Sequence, residues 1–129
     1  MRRDYIEIEQ LGKTTLFVDE ENAEEILTFC EQDEKYRKKF KYIKNAILRG
    51  IAPNKIYQKV KNYEDIWEIR FFPNVKGRND RIYCKQFDDD ETKILIIMVE
   101  LFKGKKTQNI DKRIQSRLNE IKKYEYDIK

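Results

Sequence analysis

The chain has 129 residues, 40% of them charged, no histidine and a net charge of +4. That length holds one hydrophobic core and is too short for two, and its apolar residues are clustered and periodic, which excludes disorder. The longest apolar run, Ile94 to Phe102, is too short to cross a bilayer of ~30 Å, and the residues after Met1-Arg2-Arg3 do not build the apolar segment of a signal peptide.

Tyr5-Ile6-Glu7-Ile8-Glu9 alternates with period two, Gly12-Lys13 supplies a turn, and Thr14-Thr15-Leu16-Phe17-Val18 is rich in strand formers. Residues 1–20 therefore read as a strand or hairpin extension. Asp19 to Asn22 lead into a helix carrying Ala23, Ile26, Leu27 and Cys30 at helical spacing. Asp33 is placed as the N-cap of a second helix through Tyr36, Phe40, Ile43 and Ile47. Gly50 sits where a left-handed C-cap is wanted, and Pro53 forbids a restart. Lys35, Lys38, Lys39, Lys41 and Lys44 line the other sides of this helix.

Lys55 to Val60 reads as a short strand or a loop. Strands over 66–72, 81–87 and 94–102 then form an antiparallel meander, with Asp88-Asp89-Asp90-Glu91 as a solvated hairpin turn. Ile110, Ile114, Leu118 and Ile121 recur with helical period, predicting a C-terminal helix packed on the sheet. Tyr124 and Tyr126 beyond it read as frayed surface aromatics. Cys30 and Cys84 have no ligand-like spacing and read as buried thiols in a reducing cytoplasm.

Charge is distributed unevenly. Residues 1–34 hold three bases against eleven acids, a net −8, so the remainder carries +12; Lys35 to Asn62 has ten bases and no acid. Such a basic body suits a polyanion. The run 94–102 is apolar enough to be buried on both faces as a central strand, and it ends in Lys103, Lys105 and Lys106. Arg70 and Arg81 on the preceding strands can share that edge. So much positive charge at the end of a buried strand is costly without an anion, and a phosphate backbone is the natural guest.

Three motifs in order carry a resemblance: Glu68-Ile69-Arg70, then Asp80-Arg81-Ile82-Tyr83, then Phe102-Lys103-Gly104-Lys105-Lys106-Thr107-Gln108 followed by a helix. Over roughly residues 23 to 122 the chain resembles the RelE/ParE superfamily of toxins from bacterial type II toxin–antitoxin pairs, in its HigB-like, phage-derived branch. It departs from that pattern in its longer, acidic N-terminal segment and in Asn109-Ile110-Asp111 after Gln108. The resemblance implies a single α+β domain over 1–129: two N-terminal helices on a curved antiparallel sheet of three to five strands, plus a C-terminal helix. It implies a cytoplasmic, cofactor-free toxin that cuts messenger RNA on the ribosome, with a helix-turn-helix antitoxin as protein partner and no membrane.

Attack of a 2′-hydroxyl on the adjacent phosphate needs a proton acceptor, a proton donor and positive charge for the phosphorane. Without histidine, the available groups are Lys, Arg, Tyr and carboxylate. Arg70 and Arg81 are candidate phosphate clamps. Lys103, Lys105 or Lys106, crowded by other cations, is the candidate acid or base. Tyr83 shares a strand face with Arg81 and is a candidate base platform, while Lys38, Lys41 and Lys44 are candidate RNA contacts. Arg70 lies near Glu68 and Arg81 near Asp80, so structural ion pairs are the competing account. Competing functions are a binding module without catalysis, such as a gyrase-directed ParE-like toxin or a relative that binds only its antitoxin, and a nucleic-acid-binding accessory protein.

Overall fold

The computed structural model describes residues 1–73, 75, 80–89, 92–103 and 112–127. Among the described residues, eight strands and three helices run in the order β1 (Arg2–Arg3), β2 (Tyr5–Leu11), β3 (Thr14–Asp19), α1 (Ala23–Cys30), α2 (Glu34–Leu48), β4 (Tyr57–Lys59), β5 (Ile66–Arg70), β6 (Arg81–Asp89), β7 (Lys93–Phe102), α3 (Lys112–Lys123) and β8 (Glu125–Tyr126). The fold is α+β with a mostly antiparallel sheet. None of the described helices is long and apolar enough to cross a membrane.

Six strands form the sheet in the order β2-β3-β7-β6-β5-β4, so β7 is central, as its apolar run predicts. The N-terminal hairpin corrects one expectation. It is no extension: β3 pairs in parallel with β7, Thr14 opposite Ile94 through Val18 opposite Met98. The sheet accordingly has six strands rather than three to five, is mixed rather than wholly antiparallel, and the helices follow its first two strands.

Burial of β7 on both sides follows from two helical layers. On one face Leu16, Val18, Ile69, Phe71, Ile82, Cys84, Ile96 and Met98 pack against α1 and α2 through Ile26, Phe29, Phe40, Ile43 and Ile47. On the other, Ile66, Tyr83, Ile97 and Val99 pack against Ile114, Leu118 and Ile121 of α3. Asp33 caps α2 by accepting the Tyr36 N–H at 2.9 Å, and Gly50 ends it at φ +71°. Gly12, at φ +60°, makes the two-residue turn of the β2–β3 hairpin. Buried Lys85 donates to the Tyr124 and Lys122 carbonyls at 2.7 and 3.2 Å, fixing the end of α3 on the sheet.

Between Tyr83 and Cys84 the register shifts: Tyr83 faces Glu100 but Cys84 faces Met98. Val99 is thus an extra residue in β7, a β-bulge. Plain alternation would put Glu100 and Phe102 on the same face as Met98. The bulge moves both to the α3 face and sends Leu101 to the α1–α2 core. The Val99 carbonyl, left beyond the end of β3, accepts from Asn22 Nδ2 at 2.7 Å.

A second correction concerns the C-terminal tyrosines. β8 pairs in parallel with β1, and Tyr126 is buried. Its hydroxyl donates to Asp19 Oδ2 at 2.6 Å, and Arg3 grips the same carboxylate through Nε at 2.7 Å and Nη2 at 3.0 Å. The Glu21 N–H donates to Asp19 Oδ1 at 2.9 Å, and Tyr124 lies under the Arg3 guanidinium at 4.0 Å. Asp19 is fully buried, so every donor counts. Replacing Tyr126→Phe removes a hydrogen bond to a buried charge and should cost about 1.5–3 kcal/mol, read from the urea midpoint at unchanged m-value.

Candidate functional site

Cross-strand register gathers the site. Arg70 lies opposite Arg81, and Arg81 opposite Phe102, so the ends of β5, β6 and β7 stand in one row with Lys103 just beyond. All three side chains in that row point to the α3 face. This is the edge at which Arg70, Arg81 and the lysine cluster were expected to meet.

The two arginines do meet, on one carboxylate. Glu68 Oε1 accepts from Arg70 Nε at 2.7 Å and Nη2 at 2.6 Å, while its Oε2 accepts from Arg81 Nη1 at 3.2 Å. Glu68 and Arg81 are buried; the Arg70 side chain keeps 25% of its surface in solvent. Of the two guanidiniums on this carboxylate, Arg70 is the one presented to solvent. Arg81 stands behind it as a positioning cation rather than an exposed clamp.

Tyr83 is corrected from base platform to core: it is fully buried and presents no ring face to solvent. Its place in the row still matters. Its hydroxyl and Oε2 of Glu100, its cross-strand partner, are both buried with no hydrogen-bond partner among the described residues. Burial first, then the nearby Glu68, pushes the Tyr83 pKa up. A buried carboxylate oxygen without a partner is a position that a further polar group can satisfy.

Glu100 opens into a cleft of about 340 Å³ that is also lined by Lys103, Arg113, Arg117, Glu25 and Phe102. Arg117 Nη1 approaches Glu100 Oε1 at 3.5 Å, and the Arg113 guanidinium lies 5.5 Å over the Phe102 ring. Burial holds the Glu100 carboxyl above the usual carboxylate range. Glu120 and Glu25 push the same way, and Arg117 only partly opposes them. The cleft thus sets a reluctant carboxylate among three cations. Lys103 also borders a neighbouring hollow of about 580 Å³ whose other charged residues are Glu21, Glu24 and Glu25. That acidic hollow repels a polyanion, which leaves the Arg113–Arg117 side as the approach for one.

Glu100, Arg113 and Arg117 were not singled out from the sequence. The signal for Glu100 is present there, as the one charged residue inside the apolar run 94–102. Lys105 and Lys106 lie outside the described residues. Of the helical lysines, Lys41 is exposed, Lys38 pairs with Glu34 at 3.2 Å, and Lys44 pairs with Glu9 at 2.8 Å. They lie on α2, across the sheet from Arg70 and Arg81, so the predicted residues divide between two surfaces. Buried Cys30 and Cys84 are free, and burial pushes the Cys30 thiol up to about 12, which leaves it inert. Among the described residues no group of acidic, cysteine or histidine side chains is placed to hold a metal ion. No protein-family model, curated protein or solved structure matches this chain.

Glu68→Gln tests the triad. With its negative charge gone and one oxygen replaced by a donor, two guanidiniums lose their shared counter-ion, one of them buried, and stability should fall by about 3–5 kcal/mol in urea. Phosphate should restore part of that loss and raise the variant's melting temperature more than the parent's, because the vacated forks accept a tetrahedral anion. Equal phosphate effects on both proteins would show that the forks do not face an anion site.

Proposed function

We propose that the protein is a toxin of the RelE/ParE kind that cleaves messenger RNA on the ribosome, with the Glu100 cleft as its catalytic centre. The observation that carries this reading is the half-buried carboxyl of Glu100, one oxygen of it without a hydrogen-bond partner among the described residues, set among Lys103, Arg113 and Arg117. A carboxyl pushed toward neutrality is a stronger base once ionised. Arginine forks and an ammonium supply the charge that a phosphorane needs.

In this reading a phosphodiester sits against Arg113, Arg117 and Lys103, with Arg70 reinforcing the positive field from the next strand. Glu100 takes the proton of the 2′-hydroxyl as its oxygen bonds to phosphorus. The bond from phosphorus to the 5′-oxygen breaks, and Lys103 returns a proton to that oxygen. The products are a 2′,3′-cyclic phosphate and a 5′-hydroxyl. The order of elements from β3 through α1, α2 and the β5–β7 meander to α3 supports a RelE-like arrangement. The reading carries with it a cytoplasmic setting and a small helix-turn-helix antitoxin as partner.

One observation favours a second reading, a binding module without catalysis. Glu68 already occupies the forks of both Arg70 and Arg81, and Arg81 has almost no exposed surface. A ParE-like or degenerate relative would use the triad only to fix the geometry of this sheet edge.

Expression should arrest translation and leave RNA fragments with 5′-hydroxyl ends. Glu100→Gln should lower cleavage at least a hundredfold, with cutting by the parent unaffected by EDTA. The acid limb of the parent's rate profile should fall above the usual carboxylate range. A folded pKa raised above the unfolded one means that ionising Glu100 costs stability as pH rises. The Glu100→Gln variant should therefore unfold at higher urea than the parent at pH 7, with the gap closing in acid. Arrest of growth with intact RNA, equal in parent and variant, would instead identify the binding module.

A further inference from the structure

Outside the catalytic cleft, one surface combines aromatic rings with clustered positive charge. Along α2, Lys35, Lys38, Lys39 and Tyr42 recur at helical spacing, and with Phe72 they line a groove of about 490 Å³. Tyr42 is half exposed, and Phe72 is partly buried, with its ring packed edge-on to Tyr36 at 5.1 Å. The ammonium of Lys35 stands 5.0 Å over the Phe72 ring, and that of Lys39 stands 5.4 Å over Tyr42 and 5.8 Å over Phe72. Val75 is exposed and donates its N–H to the Phe72 carbonyl at 3.1 Å.

A structural cause for this arrangement is weak. A half-exposed tyrosine gains little from burial, and five lysines within ten residues of one helix repel one another. Lysines poised over rings are groups waiting for something that is flat on one side and anionic on the other. A nucleotide has that shape: its base stacks on an aromatic face while its phosphate takes the displaced ammonium. A segment with ten bases and no acid between Lys35 and Asn62 extends the same field.

We infer that the Tyr42–Phe72 groove is a base-stacking site for single-stranded RNA, with Lys35, Lys38 and Lys39 holding the flanking phosphates. This rests on the protein being an RNA-binding one, but not on its cutting RNA. Phe72 follows Arg70 by two residues, so their Cα atoms are no more than about 7 Å apart although the side chains leave opposite faces of the sheet. A strand held in the groove passes around the end of β5 toward Arg70. The groove grips the chain away from the scissile linkage, and its binding energy is available at the catalytic cleft.

The test uses the full chain and a fluorescent ten-nucleotide 2′-O-methyl oligouridylate, which lacks the attacking hydroxyl and stays intact. Tyr42→Ala should weaken binding about tenfold by anisotropy, while Tyr42→Trp keeps it. Changing Lys35 and Lys39 together to Gln should reduce the salt slope by about 0.7 for each lysine lost. Tyr42→Ala binding as tightly as the parent would overturn the inference. So would a polyglutamate peptide that binds with this Tyr42 dependence while the oligonucleotide does not. Because nothing is cut, failure here is distinct from failure of the catalytic reading, which the Glu100→Gln comparison decides alone.

Discussion

The structure depends on the burial of β7 on both faces. A strand so apolar is stable only with cover above and below, and α1–α2 and α3 supply it. Once covered, β7 needs hydrogen-bond partners along both edges, which β6 provides on one side and the parallel β3 on the other. β3 stops at Asp19, so the last residues of β7 lose that neighbour. The charged groups collect there because the strand is no longer enclosed. The polar end of the molecule is a consequence of where the hairpin runs out.

At that end, charge is neither scattered nor free. Glu68 bridges two guanidiniums, and Arg70 is the more exposed of the pair. Buried triads of this kind add little net stability, since the cost of desolvating three ions offsets most of their attraction. Their usual contribution is geometric, and here Arg81 is held with no freedom behind an arginine that retains some. Lys103 separates two hollows of opposite sign, acidic beside α1 and basic beside α3. A polyanion approaching this end meets repulsion on one side and attraction on the other, which orients it.

Much of the fold was legible because its signals are local. Asp33 and Gly50 mark α2 through backbone geometry that few other residues satisfy, and the period of Ile114, Leu118 and Ile121 needs no partner to be read. What was not legible depends on pairing. Parallel docking of β3 on β7 leaves no imprint within either strand. The bulge at Val99 leaves no mark in the sequence, yet it alone brings Glu100 to the α3 face. Tyr126 looked like an exposed tail because its partners, Asp19 and Arg3, lie more than a hundred residues away. The site was half legible for the same reason. Cationic residues announce themselves by type, but a lone carboxylate gains meaning only when its surroundings are known.

The parallel β3–β7 pair also governs how the chain reaches this state. Thr14 finds its partner Ile94 eighty residues later, whereas β5, β6 and β7 close on one another through short connections. Closing the longer loop loses more chain entropy before any contact repays it. The meander therefore assembles first, and docking of the hairpin is the late event. In the interval the β3-facing edge of β7 is an open, apolar strand of the sort that recruits other chains into aggregates. The hairpin that closes this edge carries Glu7 and Glu9 on β2, and like charges of that kind repel a second copy of the undocked segment.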